Sequence, residues 1–304
     1  MFKPIGDTRD FLSVTFLQKR HNETRGFPPK MTPKKHQIIS LVILIVVLIS
    51  INYPFLDQIL SKELSSLEKA LVVRVIDGDT IEVKIDNLNN QTETIRLLGI
   101  NTPERGEEYY KNAKEYLEKL ILNKTIDIEK GREDEDLYGR LLRYIHYNNL
   151  NVNLNMIEQG FANPYFPTNK DRYYSQFFYA WKNCVNQNKK ETLCELSINI
   201  CNKCIQIESI DVGNQKVVLE NKCNFICDIN SWKIKDEGRK QFIFPNLSLN
   251  PNSEINLIVS KTKLENNVNN IYWIRKDYVW TETGDTLFLR DNEGKIVLWK
   301  SIYN

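Results

Sequence analysis

The chain has 304 residues, 41% of them hydrophobic and 26% charged, which points to more than one folded unit and excludes wholesale disorder. Its net charge of +2 supplies no broad basic field, so any polyanion site has to be a local cluster of placed cations.

The first 37 residues are basic, with Lys19, Arg20, Arg25, Lys30, Lys34 and Lys35, and are broken by Pro4, Pro28, Pro29 and Pro33. Met31 just ahead of Lys34-Lys35 offers a second start, which would leave residues 1–30 untranslated. Ile38 to Ile51 is apolar apart from Ser40 and Ser50. Continued to Leu56, the run would be roughly 28 Å long as a helix, enough for one transmembrane pass. No small-residue cleavage site follows it, so residues 38–56 read as an uncleaved signal anchor in the lipid bilayer. Cations before the run and Asp57, Glu63 and Glu68 after it put the N-terminus inside the cell and the bulk of the chain outside; cleavage of the segment would make the protein secreted. Residues 57–69 form a charged linker.

From residue 70 the pattern changes. Val73, Val75, Ile81, Val83 and Ile85 give a strand period interrupted by Asp77-Gly78-Asp79, and Thr92 to Ile100 is the returning strand. Glu107 to Leu122 has a helical apolar face, Thr125 to Glu129 and Leu141 to His146 are further strands, and Val152 to Gln159 is a short helix. The aromatic stretch Asp171 to Asn188 is the last helix of this unit. Strands with inserted helices in this order fit a small mixed barrel.

Four signatures lie along it: Val75-Ile-Asp77-Gly-Asp79-Thr80, Ile95-Arg96-Leu-Leu-Gly-Ile-Asn101-Thr102-Pro103-Glu104, Asp136-Leu-Tyr138-Gly139-Arg140 and Glu158-Gln-Gly160-Phe-Ala162. Singly each has an ordinary explanation: Asp77-Gly-Asp79 as a hairpin turn, Thr102-Pro-Glu104 as a helix entry, the arginines as surface cations. Together they carry the parts that phosphodiester hydrolysis requires. Arg96 and Arg140 offer planar donor forks to phosphoryl oxygens, and Glu104 can position or deprotonate water. Asp79 and Asn101-Thr102 supply oxygens for a hard cation.

In this order the signatures resemble the thermonuclease family, the staphylococcal nuclease-like proteins, over about residues 70–183. The resemblance implies an OB-type five-stranded β-barrel with helices and Ca2+-dependent cleavage of DNA or RNA. By the same resemblance Arg96, Arg140 and Glu104 are catalytic, Asp79, Asn101 and Thr102 hold the metal, and Tyr138 and Tyr165 contact the nucleotide. The family has an aspartate where this chain has Asn101. Asparagine keeps a carbonyl oxygen but loses a charge, so weaker Ca2+ binding or another divalent cation is expected. The competing reading is a weakened module that only binds nucleic acid or protein at the envelope.

All six cysteines follow: Cys184, Cys194, Cys201, Cys204, Cys223 and Cys227. An even count in an exported chain favours disulfides, whereas Cys201-x-x-Cys204 with Cys223-x-x-x-Cys227 also suits Zn2+. Residues 184–204 form the joint to an all-β unit, 205–304, with short apolar alternations and turns at Asp236-Glu-Gly238 and Asp291-Asn-Glu-Gly294. Glu220-Asn221, Ile229-Asn-Ser-Trp232, Phe244-Pro245, Leu249-x-Pro251, Val279-Trp280 and Gly284-Asp285-Thr286 resemble a lamin-tail domain, which implies an Ig-like sandwich that binds nucleic acid, the envelope or a protein partner. No catalytic constellation is visible there.

Overall fold

The computed structural model describes residues 35, 37–48, 67–85, 91–167 and 170–302. The chain divides into two compact units, Met1–Lys62 and Glu63–Asn304. In the first, residues 37–48 are helical and expose Ile38, Leu41, Ile43 and their neighbours. The basic segment before this helix, the second half of the expected anchor and most of the 57–69 linker lie outside the described residues. No helix among the described residues is long and apolar enough to cross a membrane.

The second unit begins with the barrel. Strands β1 (Glu68–Asp77), β2 (Thr80–Ile85) and β3 (Thr92–Leu97) form an antiparallel meander. After the short β4 (Ile100–Asn101) and helix α1 (Tyr110–Ile121) come β5 (Thr125–Glu135) and β6 (Leu141–Tyr147). β5 pairs with β1 and β6, and β6 pairs in parallel with β3, so the five strands close on themselves. Alternation puts Ile81, Val83, Ile95, Leu97 and Ile145 into the interior as expected, but in β1 a register shift between Val72 and Arg74 buries Val72 with Val75 and leaves Val73, expected on the apolar face, only half-buried. α1 buries Ala113, Leu117 and Ile121, a stripe at four-residue spacing that covers one end of the barrel.

The chain continues through β7 (Leu150–Asn151), α2 (Val152–Glu158), β8 (Asn163–Pro164) and α3 (Tyr174–Gln187). β8 pairs with β4 so that Asn101 and Asn163 stand opposite each other. The Asn151 side chain accepts from Leu154 N and caps α2.

The C-terminal part of this unit holds two four-stranded sheets. One has the order β16–β15–β10–β9, with β9 (Ile205–Asp211), β10 (Lys216–Asn221), β15 (Glu254–Ser260) and β16 (Asn270–Ile274). The other has the order β13–β12–β17–β18, with β12 (Lys233–Lys235), β13 (Gln241–Ile243), β17 (Thr286–Arg290) and β18 (Ile296–Ser301). A short ladder joins β11 (Cys227–Asp228) to β14 (Ser248–Leu249). Val217, Leu219, Leu257 and Trp273 from one sheet share a core with Ile234, Leu287 and Leu289 from the other, which is the expected sandwich.

β17 is buried on both faces. Leu287 and Leu289 point into the sandwich, whereas Phe288 joins Ile296 in the core of the barrel and meets Trp181 of α3 edge-on at 5.4 Å. The linker also pairs into the second sheet, through a bridge between Leu196 and Ile296. The barrel and the sandwich therefore share apolar surface without a break.

The cysteines are paired as Cys184–Cys194, Cys201–Cys227 and Cys204–Cys223. Among the described residues, the cluster of three or more side chains suited to a metal is Cys204, Cys223 and Cys227. All three are in disulfides, which removes the thiolates that the zinc reading needs. Cys184–Cys194 closes the loop after α3 within the barrel core, and the other two bridges anchor the 3-10 turn Ile200–Lys203 to the sandwich. Both ends of the joint are thus stapled, one to each core.

Candidate functional site

The site is built where the β1–β2 turn meets the end of β3 and strand β4. Asp77 and Thr80 are partners across the turn, and Leu97 N donates to Asp79 O at 2.8 Å, which fixes the turn against β3. Gly78 is required by crowding: a Cβ there would lie 2.9 Å from Ala113 Cβ and 2.9 Å from Thr102 Oγ1. The missing side chain lets the turn, α1 and Thr102 converge.

Asp79 sits at the centre and is 3% exposed. Its Oδ2 accepts from Thr102 N at 3.0 Å and pairs with Arg96 at 3.0 Å, and its Oδ1 accepts from Thr80 Oγ1. Arg96 is 7% exposed, donates to Leu97 O at 2.6 Å and reaches Asn101 Oδ1 at 3.5 Å. The structure thus brings together Asp79, Arg96, Asn101 and Thr102. Glu104 follows two residues later on the rim, its backbone N–H bound to the Glu107 carboxylate at 2.8 Å.

Burial, reinforced by the charge of Asp79, pushes the Asp77 carboxyl up to about 6. Two acids crowded in a largely buried turn, beside the Asn101 and Thr102 oxygens, make a donor set that fits a hard divalent cation, whose charge would relieve their repulsion.

Arg140 stands apart from this cluster. It binds Asp136 through Nε at 2.7 Å and through its terminal nitrogen at 2.6 Å. Burial works against the Asp136 charge, but the hydrogen bonds from Arg140 and the backbone hold that carboxyl below its usual range. The parallel pairing of Ile95 with Leu141 and of Arg96 with Leu142 puts Arg140 just beyond one end of the ladder that carries Arg96 at its middle. Tyr138 is exposed, with Arg140 over its ring at 5.5 Å. Tyr165 is half-buried, and burial raises its hydroxyl pKa; a Cβ at Gly238 would lie 3.3 Å from its ring.

That last contact belongs to a feature with no motif in the sequence. The β12–β13 hairpin tip, Asp236-Glu-Gly-Arg-Lys240, lies on the site. Asn101 Nδ2 donates to Gly238 O at 3.0 Å, and Asn163 Nδ2 donates to Glu237 O at 2.9 Å. The two asparagines that face each other across β4–β8 therefore grip consecutive carbonyls of the hairpin. Phe166 N donates to the Glu237 carboxylate at 3.0 Å, and Lys235 pairs with Glu107 at 3.2 Å. Arg239 pairs with Glu104 at 2.6 Å. Burial pushes Asp236, at the base of the tip, up to about 6.

The departure at Asn101 now has a physical account. An aspartate has no N–H to give the Gly238 carbonyl and would set two oxygens against each other. Asn101→Asp is therefore expected to destabilise the protein in EDTA by about 1–3 kcal/mol, the usual cost of stranding a buried acceptor. Ca2+ should restore more stability to this variant than to the wild type, because the added charge binds cation. Thermal unfolding with and without Ca2+ measures both effects; a variant as stable as wild type in EDTA would contradict the account.

The comparisons agree with this geometry. Residues 94–192 match the family model described as staphylococcal nuclease homologue, a range that holds Arg96, Asn101, Thr102, Glu104 and Arg140. The chain is 35% identical over 141 residues to the thermonuclease of Staphylococcus intermedius, covering 44% of this chain and 80% of that protein. It is 27% identical over 160 residues to the thermonuclease of Staphylococcus hyicus, covering 49% of this chain and 92% of that one. An uncharacterized endonuclease of Haemophilus influenzae is 31% identical over 105 residues, 34% of this chain and 57% of its own length. Through its barrel and the site at the barrel's edge, the chain belongs to the staphylococcal nuclease family.

Proposed function

We propose that the chain is a divalent-metal-dependent endonuclease, with Ca2+ the favoured ion, that hydrolyses phosphodiester bonds of DNA or RNA at the outer face of a membrane. The observation that carries the chemistry is the buried Asp79–Arg96–Thr102 cluster with Glu104 on its rim.

Asp79 with the Asn101 and Thr102 oxygens would hold the cation, and Asp77 would support it through water. When bound, the cation supplies positive charge against the phosphoryl oxygens and lowers the pKa of nearby water. The protein's own groups do the rest. Arg96 is held rigid by its bonds to Leu97 O and Asp79, so a donor fork stands ready at the site without reorganisation. Glu104 takes the proton of the attacking water. Arg140, oriented by Asp136, presents its remaining N–H groups to the phosphate. Exposed Tyr138 stacks on a base, which suits single strands without regard to sequence.

Three disulfides support a location in an oxidising compartment, and the exposed apolar helix after a basic flank supports an N-terminal anchor. The lamin-tail resemblance of residues 205–304 adds a binding role towards nucleic acid or an envelope partner.

Digestion of single-stranded DNA and RNA by the purified full-length chain in mild detergent tests this reading, in EDTA, Ca2+, Mg2+ and Mn2+. Cleavage that EDTA abolishes and Ca2+ restores is the expected result. A folded sample that cleaves under none of these conditions would favour the module that only binds.

A further inference from the structure

Arg239 reaches the catalytic rim from a different part of the chain, and its position is built rather than incidental. The hairpin that carries it is clamped by the Asn101 and Asn163 amides, by Glu237 against Phe166 N, and by Lys233 and Lys235 on Glu108 and Glu107. The same sheet is tied to the barrel core through Phe288 and Ile296. Such a hairpin is a permanent wall of the site and not a plug that lifts away. Its charged tip is another matter. The Arg239 and Glu104 side chains are 54% and 41% exposed, and an ion pair that open to solvent is weak.

We propose that Arg239 is a substrate-binding residue of the nuclease site, contributed by the C-terminal sandwich: at rest its guanidinium pairs with Glu104, and on binding nucleic acid it grips a backbone phosphate beside the bond to be cut. The inference rests on the nuclease reading above. The contact to Glu104 uses Nε, leaving the two terminal amino groups of the fork to face a phosphate. A phosphate beside Glu104 competes for the same cation and can accept from both terminal amino groups, whereas the Glu104 contact runs through Nε. Of the two arginines placed at the site above, Arg96 is bound to Asp79 and Arg140 to Asp136, whereas the Arg239 ion pair is open to solvent and readily redirected. Its transfer to phosphate also frees the Glu104 carboxylate to meet water.

The test has a binding arm and a turnover arm. Affinity of the full-length chain for a fluorescently labelled short single-stranded DNA is measured in EDTA across a series of salt concentrations. Arg239→Ala should weaken binding about tenfold and reduce the salt dependence by about one released counterion. Arg239→Lys should keep the salt dependence while recovering only part of the affinity. In the turnover arm with Ca2+, Arg239→Ala should raise KM more than it lowers kcat. Unchanged affinity and salt dependence would overturn the proposal and reduce the ion pair to a surface contact. A higher kcat/KM in Arg239→Ala would overturn it too, since Arg239 would then only mask the base. Absence of cleavage by the wild-type chain would sink the nuclease reading alone, because the binding arm in EDTA still decides the role of Arg239.

Discussion

Arg96→Ala is expected to lower kcat/KM by about 10²–10³, the range for removing one placed donor from a developing oxyanion. The same change should also destabilise the metal-free protein. Asp79 is 3% exposed, and the Arg96 guanidinium is its partner; without it the carboxylate is a buried, uncompensated charge, a defect of about 3–5 kcal/mol. The two effects separate in Arg96→Lys. An ammonium restores positive charge near Asp79 but lacks the planar fork that spans Leu97 O, Asp79 and phosphate, so stability should recover further than activity. Steady-state kinetics on an oligonucleotide and melting temperatures in EDTA read the two quantities. An Arg96→Ala protein with wild-type turnover would remove Arg96 from the mechanism.

The second large effect concerns the joint between barrel and sandwich. Phe288 is 2% exposed and packs edge-on against Trp181, itself fully buried. Phe288→Ala should cost about 3–5 kcal/mol, the usual range for emptying a buried aromatic site. Against a typical total of about 5–15 kcal/mol that is a large share. Because β17 faces both cores, the loss should appear as one unfolding transition moved downward by roughly 10 °C, at about 2–4 °C per kcal/mol for a unit of this size. Two transitions, of which only one moves, would mean that barrel and sandwich unfold separately. Scanning calorimetry distinguishes the two outcomes.

Much of the barrel was legible because its signals are local. Period-two apolar strands, a stripe at four-residue spacing in α1 and the Asp-Gly-Asp turn each state their geometry within a dozen residues; Asp79 and Arg96 meet because Thr80 pairs with Arg96 across adjacent strands, and Thr102 follows Arg96 by only six positions. The sandwich was legible as alternating strands for the same reason. The hairpin on the site was not. Asp236-Glu-Gly-Arg-Lys240 reads as a turn, and no pattern within it says on which surface the turn lands. Its landing is set by Asn101 and Asn163, residues more than 70 positions away, the first of which read as a missing charge. The unbroken apolar triplet Leu287-Phe288-Leu289 was an available signal: with Thr286 it makes four successive buried residues in a strand covered on both faces, and the second cover is the barrel. Tyr165, which the resemblance puts in contact with the nucleotide, also lies beside Gly238 of this hairpin. The cysteine pairing was equally closed to sequence, since six cysteines allow many connectivities.

Glu104, on the rim of the Asp79–Arg96 cluster, is expected to act as the base in phosphodiester hydrolysis. The most direct measurement is kcat for single-stranded DNA at saturating Ca2+, wild type against Glu104→Gln, with melting temperatures compared alongside. The account predicts a loss of about 10²-fold or more in a variant that is folded like the wild type. Full activity in Glu104→Gln would contradict it.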